Sequence, residues 1–392
     1  MKQGWVKKKL VDACDLFTDG NWIESKDQSL EGIRLIQTGN VGSGEYKDKK
    51  GKERFVSQET FDRLKCTEIF PGDILVSRLP EPVGRSCIIP DTDSRLITAV
   101  DCTIVRTSEE LLPVFLRYFQ LSNAYLKDVN SKVTGTTRSR ISRKNLGLIE
   151  IPIPPLEEQK QIVAKLDQCF EAIDKAKANA AKNLENAKEL FQSKLNDIFS
   201  QKGEGWVEKK LGAACLITMG QSPKGTSYNQ EGEGVPLING PVEFGKDSFD
   251  KTIKSKFTTE PTKMCRQGDL ILCVRGSTTG KINIAGFDAC IGRGVASIRF
   301  DQNQRWLDYF IRSKRNEIYS LGTGSTFPNV SRTILSKLPF LIPPVEQQNR
   351  LVETMNKLLS STNLLQVKYQ QELNSLEELK KSILQKAFEG EL

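Results

Sequence analysis

The sequence predicts an α+β chain of mixed α/β character, built as a pseudo-two-fold tandem duplication. Each copy is a globular domain followed by a long helix, and the two helices pack on each other as an antiparallel coiled coil. Three observations predict this: landmarks that recur in one order in both halves, short apolar runs bounded by Gly and Pro, and two amphipathic stretches without glycine that open at double prolines. At 392 residues and 38% hydrophobic content, the chain has room for about two to three domains with packed cores.

The repeat is read from five landmarks. Gly4-Trp5-Val6-Lys7-Lys8-Lys9-Leu10, with Cys14 following, returns as Gly205-Trp206-Val207-Glu208-Lys209-Lys210-Leu211 with Cys215. Pro71-Gly72-Asp73-Ile74-Leu75-Val76 returns as Gln267-Gly268-Asp269-Leu270-Ile271-Leu272. Gly135-Thr136-Thr137 with Ile141-Ser142 returns as Gly324-Ser325-Thr326 with Val330-Ser331. Ile153-Pro154-Pro155-Leu156-Glu157-Glu158-Gln159 returns as Ile342-Pro343-Pro344-Val345-Glu346-Gln347-Gln348, and Phe199 as Phe388. The boundaries that follow are globules at 1–151 and 205–341, with helical regions at 152–204 and 342–392.

Within the globules, Asp73-Ile74-Leu75-Val76 and Asp269-Leu270-Ile271-Leu272 read as strands. Pro155 and Pro344 suit a first helical turn, where a missing N–H costs nothing, and the glutamates behind them complement the helix N-terminus. Ile162, Leu166, Phe170, Ile173, Ala176, Ala180, Leu184, Ala187, Phe191 and Ile198 recur at helical spacing. Leu351, Met355, Leu359, Leu365, Tyr369, Leu373, Leu376 and Leu384 do the same in the second copy, with Leu365 and Tyr369 expected to fill the space beside alanine. About 45 residues at ~1.5 Å each make a rod roughly 65 Å long, and a dumbbell is the expected shape.

Composition removes whole classes of chemistry. There is no histidine, hence no Ser-His-Asp triad, Cys-His pair, HExxH zinc site or histidine base for a nuclease. The nine cysteines are scattered and never form CxxC, which argues against a zinc site or disulfide framework and for a reducing, cytoplasmic setting. No apolar run approaches a membrane span, and the charged start has no signal-peptide core. Gly276-Ser277-Thr278-Thr279-Gly280-Lys281-Ile282 is one residue short of a phosphate loop and has Ile282 where a magnesium-binding hydroxyl belongs. No nucleotide or metal site is expected in this chain.

The formal charge of +8 is uneven. Residues 1–151 hold 24 basic against 21 acidic side chains, residues 205–342 hold 19 against 12, and both helical segments are slightly acidic. Two similar basic modules on a neutral support suit a polyanion held at two places, with double-stranded DNA the leading candidate and an ordinary solvated surface the alternative.

These residues resemble a known family. The two Ile-Pro-Pro…Glu…Gln elements opening long helices, the Gly-Ser-Thr…Val-Ser stretch and the duplicated globule–helix order are similar to the specificity (S, HsdS) subunits of type I restriction-modification systems, over essentially the whole chain. The resemblance implies two target recognition domains, each reading half of a split DNA sequence. It implies helical regions that act as a ruler and as the dock for two methyltransferase (M) subunits carrying S-adenosylmethionine and adenine-N6 chemistry. A restriction (R) subunit using ATP and Mg can join. The chain itself is expected to be no enzyme, since neither an Asn/Asp-Pro-Pro-Tyr/Phe motif nor a GxGxxG fingerprint occurs. Competing readings are a subunit of a type IIB-like fused methyltransferase-nuclease, a coiled-coil protein scaffold, and a metal-dependent nuclease.

Base readout needs forked donors and hydroxyls at base edges, with other cations on phosphate. The densest candidate is 134–144, with Thr136, Thr137, Arg138, Arg140, Arg143 and Lys144; its counterpart carries Ser325 and Thr326. A second pair follows the Gly-Asp turns: Arg78 and Arg85 against Arg275, Ser277, Thr278 and Lys281. For each, the alternative is a turn bonded to its own side chains. Lys7, Lys8, Lys9, Lys209 and Lys210 suit surface or phosphate contact. Glu157, Gln159, Glu346 and Gln348 are the candidate partner-docking residues.

Overall fold

The computed structural model describes residues 2–135, 138–323 and 328–392. It divides into two compact units, Met1–Ala181 with Gln370–Leu392, and Lys182–Tyr369.

In the first unit the strands run Val6–Lys9 (β1), Cys14–Asp19 (β2), Ile33–Ile36 (β3), Phe55–Val56 (β4), Glu68–Ile69 (β5), Ile74–Ser77 (β6), Ser86–Ile88 (β7), Leu96–Thr98 (β8), Cys102–Thr107 (β9) and Glu150–Ile153 (β10). One sheet has the antiparallel order β2-β9-β6-β7; the other, β4-β3-β8-β5, pairs β3 with β8 in parallel. β1 and β10 form a separate ribbon, Val6 opposite Ile153. Every residue of β6 is buried: Ile74 and Val76 face the main core, and Leu75 faces a second core with Ile36, Cys87 and Ile104. Cover on both faces is why this strand reads as an unbroken apolar run instead of an alternating one.

The second unit repeats the plan. Its antiparallel sheet is ordered Leu216–Met219, Val295–Arg299, Leu270–Cys273, Ile282–Ile284. Its mixed sheet pairs Val235–Ile238 in parallel with Ala289–Ile291 and adds an edge strand, Tyr228–Asn229. Val207–Lys210 and Pro339–Ile342 form the ribbon.

The Gly-Asp turns are held in the same way in both units. Asp73 and Asp269 are buried acids on the strand entry. Arg106 clamps Asp73 through two bonds of 2.8 and 2.7 Å, and Arg299 clamps Asp269 through two of 2.7 and 2.9 Å. Each carboxylate also accepts a backbone N–H three residues back, from Phe70 and Arg266, both at 2.9 Å. Two forked bonds and a turn bond are what make a buried carboxylate tolerable.

The long helices span Leu156–Ser200 and Val345–Glu389. Pro155 and Pro344 lie one residue before them, and their carbonyls accept the first helical N–H, from Gln159 and Gln348, at 3.0 Å. In the first unit Ile162, Leu166, Phe170 and Ile173 pack in one core with Leu384 and Ala387, and Lys177–Glu377 and Asp174–Lys380 pair antiparallel stretches. In the second unit Phe191, Leu195 and Phe199 join Met355. The buried stripe therefore ends through Leu195 and Phe199, with Ile198 at its margin. The expected filling by Leu365 is corrected: it is 37% exposed, and Thr362, buried and bonded to the carbonyls of Leu358 and Leu359, takes the inward position seven residues after Met355.

One buried acid lacks a strong partner. Asp308, 3% exposed, accepts from Gln304 at 3.0 Å and lies 3.7 Å from Arg305, and burial pushes its pKa up to about 7. The unfolded carboxyl loses its proton near 3.8, the folded one only near 7, so this group's contribution to stability falls as pH rises through that window. Asp308→Asn keeps the Gln304 contact and is expected to melt higher than the parent at pH 8 but not at pH 4; equal differences at both pH values would contradict the account. At the turns, Asp73→Ala removes the anion beside a half-buried arginine and is expected to cost about 2–4 kcal/mol. Thermal unfolding by circular dichroism checks this, with exposed Asp15→Ala as the neutral control, and an unchanged Asp73→Ala melt would refute it.

Candidate nucleic-acid interface

Four chain segments meet at one end of the antiparallel sheet in each unit, joined by matching backbone bonds. In the first unit they are the loop after β2, the turn 99–102, the loop after β6, and the hairpin 134–140. Gly20 N–H donates to Cys102 O (2.9 Å), Arg78 N–H to Asp101 O (2.9 Å) and Ile141 N–H to Arg78 O (3.2 Å). In the second unit Gly220 N–H donates to Val295 O (3.0 Å), Val274 N–H to Gly294 O (2.9 Å) and Val330 N–H to Val274 O (2.9 Å). Both hairpins are closed by a reciprocal pair, Thr134 with Arg140 and Thr323 with Asn329. After each hairpin a serine caps a short helix: Ser142 accepts from Asn145 N–H and Ser331 from Ile334 N–H.

This geometry sorts the candidates. Arg138 is exposed on the first hairpin, and Arg143 and Lys144 are exposed on the first turn of helix Arg143–Gly147, where Arg143 reaches Thr18 Oγ1 at 3.3 Å. Arg140 is half-exposed and paired with Asp101 at 3.2 Å. Arg275, Ser277 and Lys281 are exposed on the loop beside the second hairpin, and Thr278 is half-buried there. Thr136, Thr137, Ser325 and Thr326 lie outside the described residues.

Two arginines are corrected. Arg78 is 4% exposed, bonded to Val100 O and 3.2 Å from Asp19. Arg85 donates to the carbonyls of Val41, Leu79, Pro82 and Thr38 at 2.7–3.1 Å. Burial lowers the pKa of both; the Arg85 donors are spent on backbone carbonyls, and Arg78 is enclosed with its guanidinium on Val100 O and Asp19, so they shape the loop instead of meeting a ligand. Gln159 and Gln348 are also corrected: both are fully buried, Gln159 donating to Glu110 O (2.7 Å) and Pro154 O (2.9 Å), Gln348 to Pro343 O (2.8 Å). Of the docking candidates, Glu157 and Glu346 are exposed, on the first helical turns.

The loop that resembled a phosphate cradle is held by its own chain. Thr279, 2% exposed, donates to Gly276 O (2.9 Å) and Pro328 O (3.1 Å). The cysteines are free. Burial pushes Cys14, Cys87, Cys215 and Cys265 up to about 12 and Cys102 and Cys273 to about 11, which leaves these six with no thiolate character near neutral pH. Among the described residues no group of three or more Cys, Asp or Glu side chains is placed to hold a metal, and no helix is long and apolar enough to cross a membrane.

The two-fold repeat of sheet, loop edge and helix has counterparts. The type I restriction modification DNA specificity domain matches residues 2–183 and again 203–375. The chain belongs to this family. A Methanocaldococcus jannaschii protein provisionally named the MjaX type I restriction enzyme specificity subunit is 27% identical, covering 100% of this chain and 94% of that protein. The EcoKI specificity subunit of Escherichia coli is 25% identical over 74% of this chain and 68% of its own length. The crystal structure of the HsdS subunit from Thermoanaerobacter tengcongensis is 25% identical with a TM-score of 0.70, covering 100% and 98% of the two chains. A chain from a structural study of type I system assembly and conformational transition shares the fold at a TM-score of 0.85 and 24% identity, covering 100% and 99%.

In this specificity subunit the loop edge also carries residues that sequence reasoning passed over. Trp22, 68% exposed, follows Asn21 where the first loop meets Ala99, and Arg293 stands exposed on the matching turn of the second unit. Neither lies in a repeated landmark; the signal for Arg293 was its glycine neighbours. Among the described residues the guanidinium of Arg138 makes no hydrogen bond or ion pair. Arg138→Ala is expected to weaken target binding by roughly 1–3 kcal/mol and relax one base position. Titration against target and shuffled duplexes checks this: equal loss on both reassigns Arg138 to phosphate, and no loss removes it from the interface.

Proposed function

We propose that this chain is the DNA-recognition subunit of a type I restriction-modification complex in which each unit reads one half of a bipartite duplex target. The observation that carries the reading is the loop edge. Its backbone bonds match from one unit to the other, while the side chains presented differ: Arg138, Arg140 and Trp22 in one, Arg275, Ser277 and Lys281 in the other. One scaffold holding two sets of forked donors and hydroxyls suits two different half-sites.

In this reading the long helices set the spacing between half-sites and dock two M subunits, with Glu157 and Glu346 in the docking surface and an R subunit joining where one exists. S-adenosylmethionine belongs to the M subunits, and ATP and Mg to the R subunit. The chain works in the cytoplasm and contributes binding energy and register, not chemistry. The MjaX and EcoKI relatives, named as specificity subunits, support this assignment.

The experiment is single-molecule sequencing of adenine methylation in cells with the gene intact and deleted. The expected outcome is one bipartite motif that loses methylation on deletion and regains it on complementation. If every methylated motif persists in the deletion strain while the M subunit is expressed, the reading fails.

A further inference from the structure

We infer that Arg293 is a base-reading residue of the second unit, presented by the turn Gly292-Arg293-Gly294 to a guanine edge in the major groove. The inference rests on the DNA-recognition reading above and names a contact that reading left open.

The turn is held from several directions. Gly292 N–H donates to Ile238 O at 2.8 Å, Arg293 N–H to Ser222 Oγ at 3.3 Å, and Val295 N–H to Gly292 O at 3.1 Å. Gly294 O accepts from Val274 N–H at 2.9 Å. Gly294 is required by close approach to backbone, and Gly292 lies against the Asn239 side chain. A Cβ at Gly292 would stand 2.0 Å from Asn239 Oδ1, and one at Gly294 would stand 2.4 Å from Asn239 O. Both flanks of Arg293 are thus pressed against Asn239, and glycine on each side leaves Arg293 as the one side chain the turn displays.

That side chain is exposed, and among the described residues its guanidinium makes no hydrogen bond or ion pair. The equivalent turn of the first unit is Ala99-Val100-Asp101, as the strand register fixes: Ile104 faces Leu75 where Ser297 faces Ile271. There the cation lies beneath the turn, as buried Arg78 bonded to Val100 O, and Asp101 is occupied by Arg140. In the second unit Val274 replaces Arg78, Gly294 replaces Asp101 and Asn329 replaces Arg140. The Arg78–Asp19 and Arg140–Asp101 pairs have no equivalent there, and the cation of this turn is exposed. A planar fork on a rigid support, with no partner among the described residues, has the chemistry of the commonest specific base contact, bidentate bonding to guanine O6 and N7. Its place beside Arg275 and the second hairpin puts it at the edge already assigned to DNA.

The test uses the full chain assembled with its M subunits, the duplex bearing the bipartite motif found by methylation sequencing, its single-base-pair variants and a shuffled duplex. Arg293→Ala is expected to weaken binding to the motif roughly 5- to 150-fold, leave the shuffled duplex nearly unchanged, and make one guanine position indifferent. Arg293→Lys keeps the charge without the fork and is expected to restore little of the discrimination. Full discrimination with lysine, or equal loss on both duplexes with alanine, would make Arg293 a phosphate contact and overturn the inference, as would no change at all. Melting temperatures equal to the parent's show that the variants fold. A parent complex that fails to distinguish motif from shuffled DNA would instead sink the DNA-recognition reading itself.

Discussion

A completely buried amide at the start of each long helix constrains everything the globular layers display. Gln159 and Gln348 occupy the first helical turn, each donating to the carbonyl of the first proline of its Pro-Pro pair. Gln159 also accepts Leu112 N–H at 2.9 Å, which ties the helix to the segment that starts helix Pro113–Gln120. A second tie lies further along: Tyr118 donates to Asp167, and Tyr309 to Asn356 at 2.6 Å, at equivalent places in the two units. Leaving such a buried donor unmade costs about 1–3 kcal/mol. Only two prolines separate the last strand of the globule from the helix, and that strand is zipped to the first one. Within each unit the sheet therefore has no free hinge against its helical stretch, and the loop edge inherits that rigidity.

The recurring landmarks, the strand behind each Gly-Asp turn and the two long helices were legible because each rests on a local signal: glycine and proline punctuation, a buried apolar run, a 3.6-residue stripe. The loop edge was only half legible. The hairpin was visible as a cluster of hydroxyls and cations, but its closeness to the loop after β6 depends on pairing between distant strands. The same limit explains the errors. Arg78 and Arg85 look like ligand-facing cations in sequence, yet Arg78 is buried against Val100 O and Asp19, and carbonyls from residues up to 47 positions away consume the donors of Arg85. Gln159 and Gln348 recur so faithfully that they suggest a partner surface, when what recurs is an internal joint. Leu365 reads as core because it falls near the stripe, but burial follows Thr362, whose hydroxyl bonds its own helix.

Divergence between the units follows a rule of compensated change in the interior. Where the first unit buries Ser86 and Gln120, the second has Ile282 and Ile311, both packed in its main core. The polar pair in the first unit includes Ser86 Oγ and both polar side-chain atoms of Gln120 without a protein partner, so the second unit carries the better-packed version of the same contact. By contrast, Asp73–Arg106 and Asp269–Arg299 are retained with their geometry unchanged. A carboxylate that organises a turn cannot be exchanged piecemeal, since removing either ion strands the other.

Charge at the loop edge shows why net charge is a poor guide to where a polyanion sits. The first unit's globule is the less basic of the two, and much of its charge is spent internally: Arg78 on Asp19, Arg140 on Asp101, Arg63 on Asp27, Arg95 on Glu68. Those acids bring no attraction for phosphate; at the loop edge Asp19 and Asp101 tie Arg78 and Arg140 to the loops, while among the described residues Arg138 makes no such pair. The second unit dispenses with the Asp19, Asp101, Arg78 and Arg140 set and anchors the same loops by close backbone packing, with glycine where the first unit has side chains. Among the described residues Arg275 and Arg293 make no ion pair at that edge. Two ways of holding one loop framework, by ion pairs or by glycine contacts, leave different groups facing outward. In the proposed reading, that is how a duplicated fold acquires two different recognition edges on one antiparallel-sheet plan.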